Sequence, residues 1–273
     1  MKRILIATDF SSIASNAANY AIDMALATHA DVFIMHVANI PIGYSEVPVV
    51  ITEEEMLHNA EKHMLDLKEE LNAQARGKIN IETEVSTGVF FDCLNEICDK
   101  VKPYAVVIGS HGKSAIERIF FGSEAVNAMK HLMWPLIAVP REAKFSLIKK
   151  IGLACDFDHV VETTNVDEIK TLVNDFHAEL HVLNIGKKEE YRPEVVFQSG
   201  LLQEMLKDLR PDYHFIASEN TDQGIIDFAE QNHFDLLIVL PKRHSLMDKL
   251  LHKSFTKQLV LHSHVPVMAL HQG

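Results

Sequence analysis

Short runs of β-branched and aliphatic residues recur along the chain, and each is followed by a longer stretch whose apolar positions return every three or four residues. The first pattern is that of strands buried on both faces, and the second that of helices covering them. Strands are predicted over residues 3–8, 31–37, 79–86, 104–109 and 136–140, and helices over 12–28, 53–75, 91–101 and 123–132. Thr52-Glu-Glu-Glu55 has the form of a capping box and fixes the start of the second helix. The strand pattern returns near 150–155, 179–185, 212–217, 235–240 and 266–270. Strands that alternate with helices build parallel sheets through right-handed crossovers. The fold class is therefore α/β, with two tandem doubly wound, Rossmann-like domains.

The second half is a copy of the first. Arg3-Ile-Leu-Ile-Ala-Thr-Asp-Phe-Ser11 aligns with Lys150-Ile-Gly-Leu-Ala-Cys-Asp-Phe-Asp158, and Ala30–Val37 with Ala178–Ile185 at an offset of 148. From the fourth strand onward the offset holds at 131, pairing Ser114 with Ser245, Arg118 with Lys249, His131 with His262 and Pro135 with Pro266. The change in offset locates about 17 extra residues in the first half, around Asn39 to Glu55. The repeat divides the chain into domains at 1–141 and 149–273, joined by a short polar segment. The last strands, Leu136–Val139 and Val267–Leu270, are apolar edges that need covering. They are predicted to pair antiparallel across the halves, giving an intrachain pseudo-dimer; a homodimer of the whole chain stays open.

Composition narrows the function. With 26 basic and 38 acidic side chains the net charge is −12, which disfavours phosphate-backbone binding, so no nucleic-acid partner is expected. The apolar runs are strand-length, far short of the roughly 20 residues that span a bilayer, so no membrane partner is expected either. The N-terminus carries no signal-peptide pattern, and three cysteines without a CxxC pair fit a reduced, cytoplasmic setting.

In doubly wound sheets ligands sit beyond the carboxyl ends of the strands, where strand order reverses. After the first strand stands Asp9. After the fourth comes Gly109-Ser-His-Gly112, and nine residues later Gly122-Ser123 opens a helix. Glycines admit a ligand close to the backbone, a Gly-Ser helix start offers an anion site, and a carboxylate opposite suits a ribose or an exocyclic amine. A P-loop is excluded because position 107 is Val, and a dinucleotide fingerprint because Thr8-Asp9-Phe10-Ser11-Ser12 has no glycine. A receiver domain is excluded because Asp9 stands alone and the third strand ends in Ser86-Thr87-Gly88.

Gly109-x2-Gly112-x9-Gly122-Ser123, with Asp9 after the first strand and Gly88 before the third helix, resembles the universal stress protein family across essentially the whole chain. The resemblance implies binding of ATP or AMP, with or without Mg2+, through Asp9, main chain near Val37, Gly109, His111, Gly112, Gly122 and Ser123. It further implies a regulatory stress-response role with an adenine nucleotide as partner. In the second half Leu240, Arg243 and Lys253 replace the three glycines. That domain is expected to be a structural partner or to bind something else.

Other features have plainer readings. Ser11 or Ser12 can cap the first helix in place of Asp9. His131 and His262 read as helix-terminus residues, and Cys93 and Cys98 as buried hydrophobes. His177 and His181 straddle a helix end and a strand start, and with no HExxH or Cys/His zinc spacing no metal site is expected. No catalytic residues are assigned, because no nucleophile–base set and no carboxylate beside the glycine loop is evident. The rival readings are slow ATP hydrolysis or self-phosphorylation on Ser114 or Ser123, a nucleotide-free interaction scaffold, and a lid or partner site formed by Asn39 to Glu55.

Overall fold

The computed structural model describes residues 1–38, 52–110, 124–157, 159–185, 193–218, 220–241 and 255–272. The first half contributes β1 (Arg3–Ala7), α1 (Ser12–Thr28), β2 (Asp31–Ala38), α2 (Glu53–Ala75), β3 (Ile81–Thr87), α3 (Phe90–Val101), β4 (Ala105–Gly109), α4 (described over 124–131) and β5 (Leu136–Val139). The second contributes β6 (Lys150–Ala154), α5 (Val160–Thr163), α6 (Val166–Phe176), β7 (Glu179–Ile185), α7 (Pro193–Leu206), β8 (Asp212–Ile216), α8 (Thr221–Gln231), β9 (Leu236–Val239), α9 (Phe255–His262) and β10 (Val267–Ala269).

The ten strands among the described residues lie in one sheet, ordered β3-β2-β1-β4-β5-β10-β9-β6-β7-β8. Every neighbouring pair is parallel except β5 and β10, which run antiparallel with Val267 opposite Ala138 and Ala269 opposite Leu136. The predicted pairing of the two last strands is thus present. Both strands are buried throughout, so the two edges that isolated halves would expose become the centre of the sheet.

Two apolar layers cover the sheet, and each spans both halves. Ile4, Ile6, Ile34 and Val107 turn toward α1, α2, α6 and α7, while Leu5, Phe33, Val106 and Ile108 turn toward α3, α4, α8 and α9. This is the period of two expected of a strand, with both sides apolar.

The helix ends follow local chemistry. Thr52 and Glu55 form both bonds of the capping box, and Ser11 rather than Asp9 caps α1 by accepting from the Ala14 N–H. Gly88 opens the way to α3 at φ +137°, where an L side chain is strained. Where α1 is one helix, its counterpart is two: α5 stops at Thr163 and α6 starts again with Asn165 as its cap.

The joint between the halves is pinned. The Asp235 carboxylate accepts the backbone N–H groups of Lys149 and Lys150 at 2.8 and 2.9 Å, and Ser146 Oγ at 3.3 Å. Phe145 wedges between Tyr20 and Phe176 at ring separations of 5.2 and 6.3 Å. Across the seam, His271 Nε2 meets the Met129 carbonyl at 3.1 Å and Lys2 pairs with Asp175. No described helix is long and apolar enough to cross a membrane. Of the segment Asn39 to Glu55, residues 39–51 lie outside the described residues, and Thr52 onward belongs to α2 and its cap.

Candidate functional site

β1 lies between β2 and β4, with β2 and β3 to one side and β4 and β5 to the other, so strand order reverses at β1/β4. Their carboxyl ends flank the crevice where such sheets bind ligands. The chain leaves β1 through a tightly stapled turn. Thr8 N–H still reaches the Met35 carbonyl at 3.0 Å. Thr8 Oγ1 then accepts the Phe10 N–H at 3.0 Å, and Asp9 Oδ1 accepts the Ser11 N–H at 3.0 Å. Phe10 sits at φ 63°, in the left-handed region, which throws the chain off the sheet and into α1. One oxygen of half-buried Asp9 thus shapes the turn. The ladder of β1 with β2 ends at Ala7 and Met35, so buried Val37 lies past the end of β1 and is paired only on the β3 side, with Ser86.

His36 adds a feature that spacing alone did not reveal. Its Nδ1 stands 2.8 Å from the Thr8 carbonyl, an acceptor, so Nδ1 carries the hydrogen. Burial holds the ring below the ordinary histidine pKa, against opposing pulls from the Thr8 carbonyl and Asp9. The neutral ring therefore presents a bare Nε2. Asn184, the matching residue of the second half, donates the same bond to the Cys155 carbonyl at 2.9 Å, which supports this hydrogen placement. Phe10 packs on His36 and His63 at ring separations of 4.4 and 5.5 Å. With Ala38, Met56, Asn59 and Ala60 these rings line a cleft of about 260 Å3. That is room for one ring system, below the several hundred Å3 of a site that encloses a whole ligand.

On the other side of the crevice, Gly109 pairs with Val139. A Cβ at Gly109 would stand 2.7 Å from Ile13 Cγ2 and 3.2 Å from the Ile13 carbonyl carbon and oxygen. The first turn of α1 therefore occupies the space a side chain would need, and packing alone explains this glycine. Ser110 follows, with its N–H bonded to the Val139 carbonyl at 2.9 Å and its hydroxyl buried without a partner. His111, Gly112, Gly122 and Ser123 lie outside the described residues, as does Ser114.

The described part of α4 begins at Glu124, whose carboxyl is pushed above its ordinary pKa by burial first and by the charge of Asp9 second. Glu124 directly follows Ser123 in the sequence, so a carboxylate stands at the start of the described part of α4 and feels the charge of Asp9. Strand spacing gave no sign of this, because the two charges come within electrostatic reach only when α4 packs on the sheet.

In the second half the matching turn and strand end carry larger packed side chains. Phe157 has the φ 54° of its counterpart Phe10 but is 2% exposed, against the rings of Tyr213 and Phe215. Leu240 stands where the first half has Gly109 and packs into the layer containing Phe157 and Val160. Arg243 and Lys253 lie outside the described residues.

A model of the universal stress protein family matches residues 1–140 and again residues 148–271. The chain belongs to the universal stress protein family. It is 29% identical over 146 residues to the universal stress protein MJ0531 of Methanocaldococcus jannaschii, covering 52% of this chain and 84% of that one. It is 22% identical to the universal stress protein Slr1230 of Synechocystis, covering 98% and 99% of the two chains. The crystal structure of a universal stress protein from Archaeoglobus fulgidus superposes with a TM-score of 0.73 at 18% identity, over 99% of this chain and 96% of that one, which is a likeness of fold.

Within this member of the family, the plainer readings divide. His131 Nδ1 bonds the Asn127 carbonyl at the end of α4, as a helix-terminus residue does. Cys98 is buried, whereas Cys93 is half-buried with Sγ toward the Thr87 carbonyl. His177 ends α6 as its exposed cap, while His181 is buried in β7.

Proposed function

We propose that the first half binds an adenine nucleotide, ATP or AMP, along the carboxyl edge of β1, β2 and β4, and that occupancy regulates a stress-response module. The observation that carries the reading is the alignment of three features along the carboxyl edge of β2, β1 and β4. These are the Asp9 turn, the buried and unpartnered Ser110 hydroxyl, and the ring-lined cleft of Phe10, His36 and His63. The cleft suits a base, with His36 Nε2 as acceptor for an exocyclic amine. Asp9 suits the ribose, and the sequence Gly109-Ser-His-Gly112 with Gly122-Ser123 suits the phosphates. Glu124 qualifies this picture, because two carboxylates facing a phosphate chain repel it. They fit a nucleotide best with a divalent cation between, as Mg2+ is usually held by one or two carboxylates together with phosphate oxygens. Bound there, Mg2+ would neutralise phosphate charge. Glu124 is the residue to hold it, with Asp9 left to the ribose.

The test is to denature purified protein and identify released nucleotide by mass spectrometry, for wild type and Gly122→Lys. About one equivalent per chain, lost in the variant, supports one working site in the first half. Two equivalents would place a second site in the other half. None, with no binding of added ATP, would leave an interaction scaffold. Glu124 also favours a second reading, slow hydrolysis or self-phosphorylation. In that case phosphate release or labelling of Ser123 or Ser114 falls in Glu124→Gln while nucleotide is still retained.

A further inference from the structure

At the β8 edge of the sheet, β7 and β8 gather four side chains that the nucleotide reading does not use. Register sets His181 beside Asp212 and Leu183 beside His214. The two-residue period of a strand then puts Glu179, His181, Asp212 and His214 on one face. His181 is 8% exposed, and its Nδ1 stands 3.0 Å from His214 Nε2. Asp212 Oδ2 lies 3.8 Å from that same Nδ1, and Glu179 Oε2 lies 3.7 Å from Nε2 on the other side of the ring. Phe234 and Phe228 wall the pair. His181 Nε2 is buried and has no hydrogen-bond partner.

Two imidazole nitrogens at this distance share one proton. If His181 Nδ1 donated it, the bare lone pair of Nε2 would face the Glu179 carboxylate. The opposite tautomer turns Nε2–H toward Glu179 and leaves Nδ1 as a lone-pair donor beside His214 Nε2 and Asp212. A carboxylate behind a ligating histidine is the arrangement that orients and strengthens imidazole ligands.

The matched place in the first half holds a cation. Phe33 corresponds to His181 at the offset of 148, and Glu84 corresponds to His214 because both face the matched pair Met35 and Leu183. There Lys100 Nζ sits 2.6 Å from Glu84 Oε2 and 5.7 Å from the Phe33 ring centre. The residue matching Lys100 at the offset of 131 is Gln231, and α8 carries no lysine or arginine. The second half keeps the acidic surroundings, replaces two side chains by imidazoles and drops the built-in ammonium.

We propose that Glu179, His181, Asp212 and His214 form a site for a divalent transition-metal ion of the zinc type. His181 Nδ1, His214 Nε2 and Asp212 are its ligands, Glu179 supports the outer imidazole nitrogen, and water completes the set. Two nitrogens and a carboxylate oxygen select such ions over Ca2+ or Mg2+. Ligands about 2.0–2.1 Å from a tetrahedral zinc stand about 3.3 Å from one another. The imidazoles therefore open by a few tenths of an ångström, and Asp212, whose side chain is 75% exposed, swings in by a similar amount. As they stand, no three His, Cys, Asp or Glu among the described residues could hold a metal ion, so the site requires Asp212 to move.

The experiment is a calorimetric titration of Zn2+ into the tag-free, chelator-stripped full chain, repeated with Co2+ followed by visible absorption. One equivalent per chain is expected, with the intense d–d bands of four-coordinate cobalt. Asp212→Asn and His214→Gln abolish that equivalent, and Glu179→Gln weakens it by about 10–100-fold. Circular dichroism checks that each variant is folded. Asp212 is exposed, so its variant serves even if the histidine variant is not. Absence of a wild-type equivalent, or binding unchanged in both ligand variants, overturns the proposal. So does a histidine NMR titration showing the pair sharing a proton that zinc does not displace.

Discussion

Glu168 lies in the first turn of α6, where Asn165 caps its own N–H at 3.3 Å. A carboxylate at a helix N-terminus is ordinarily stabilised by the unpaired N–H groups there. Here burial wins, because Oε2 is enclosed without a hydrogen-bond partner and the carboxyl is pushed from 4.5 up to about 7. At 1.36 kcal/mol per pKa unit that rise corresponds to about 3.4 kcal/mol. The residue is only half-buried, so water screens part of it, and about 1.5 kcal/mol is the working figure. A carboxyl whose pKa folding raises binds its proton more tightly in the folded state. It costs nothing below pH 4.5, costs more between 4.5 and about 7, and imposes its full penalty above. Glu168→Gln removes the ionisation and keeps the shape. The variant should match wild type at pH 4 and exceed it by about 1.5 kcal/mol at pH 8, or about 2–4 °C in melting temperature. Thermal or urea unfolding of both proteins across pH 4 to 8 measures this, and other titrating groups cancel in the difference. The same offset at pH 4 and pH 8, or a less stable variant at pH 8, would refute the reasoning.

Gly109→Ala should lose about 1–3 kcal/mol in denaturant unfolding, because the new methyl meets the Ile13 backbone at 3.2 Å; an unchanged midpoint would mean α1 shifts without cost. Asp235→Ala should lose about 1–3 kcal/mol and open residues 141–149 to limited proteolysis, since two backbone N–H groups lose their acceptor; a wild-type digestion pattern would count against that pinning. Glu124→Gln should raise the affinity for ATP without Mg2+ and reduce the gain that Mg2+ brings, read by calorimetry with and without chelator; equal Mg2+ dependence in both proteins would remove Glu124 from the cation site.

Elements whose cause is local were legible in the residues. The strands follow from their β-branched runs, the start of α2 from Thr52 and Glu55, and the antiparallel seam from two apolar last strands that needed cover. Features that depend on what docks against a residue were not. Gly109 read as a glycine that a ligand requires, and only the structure reveals that the Ile13 turn requires a glycine there as well. His36 looked like any strand residue until its contact with the Thr8 carbonyl gave it a fixed hydrogen and a bare nitrogen. His181 and His214 are 33 positions apart and meet only through the β7–β8 register, so no motif spacing could have joined them.

The two halves show what the duplication holds fixed and what it releases. The turn after the first strand is kept in both. Phe10 and Phe157 share the left-handed conformation, their N–H groups bond to Thr8 Oγ1 and Cys155 Sγ, and His36 and Asn184 grip the preceding carbonyls. The shared seam makes these backbones interdependent, because a shift in either last strand would disturb ladders in both halves. Side chains beyond the strand ends carry no such load. In the second half Phe157 is buried, Leu240 packs into the apolar layer where the first half has Gly109, and the matching helix is broken between Thr163 and Asn165. Leu240→Gly alone would therefore take a side chain out of the apolar layer without restoring the unbroken helix of the first half. The divergence is built into the packing of several elements and is not the loss of one glycine.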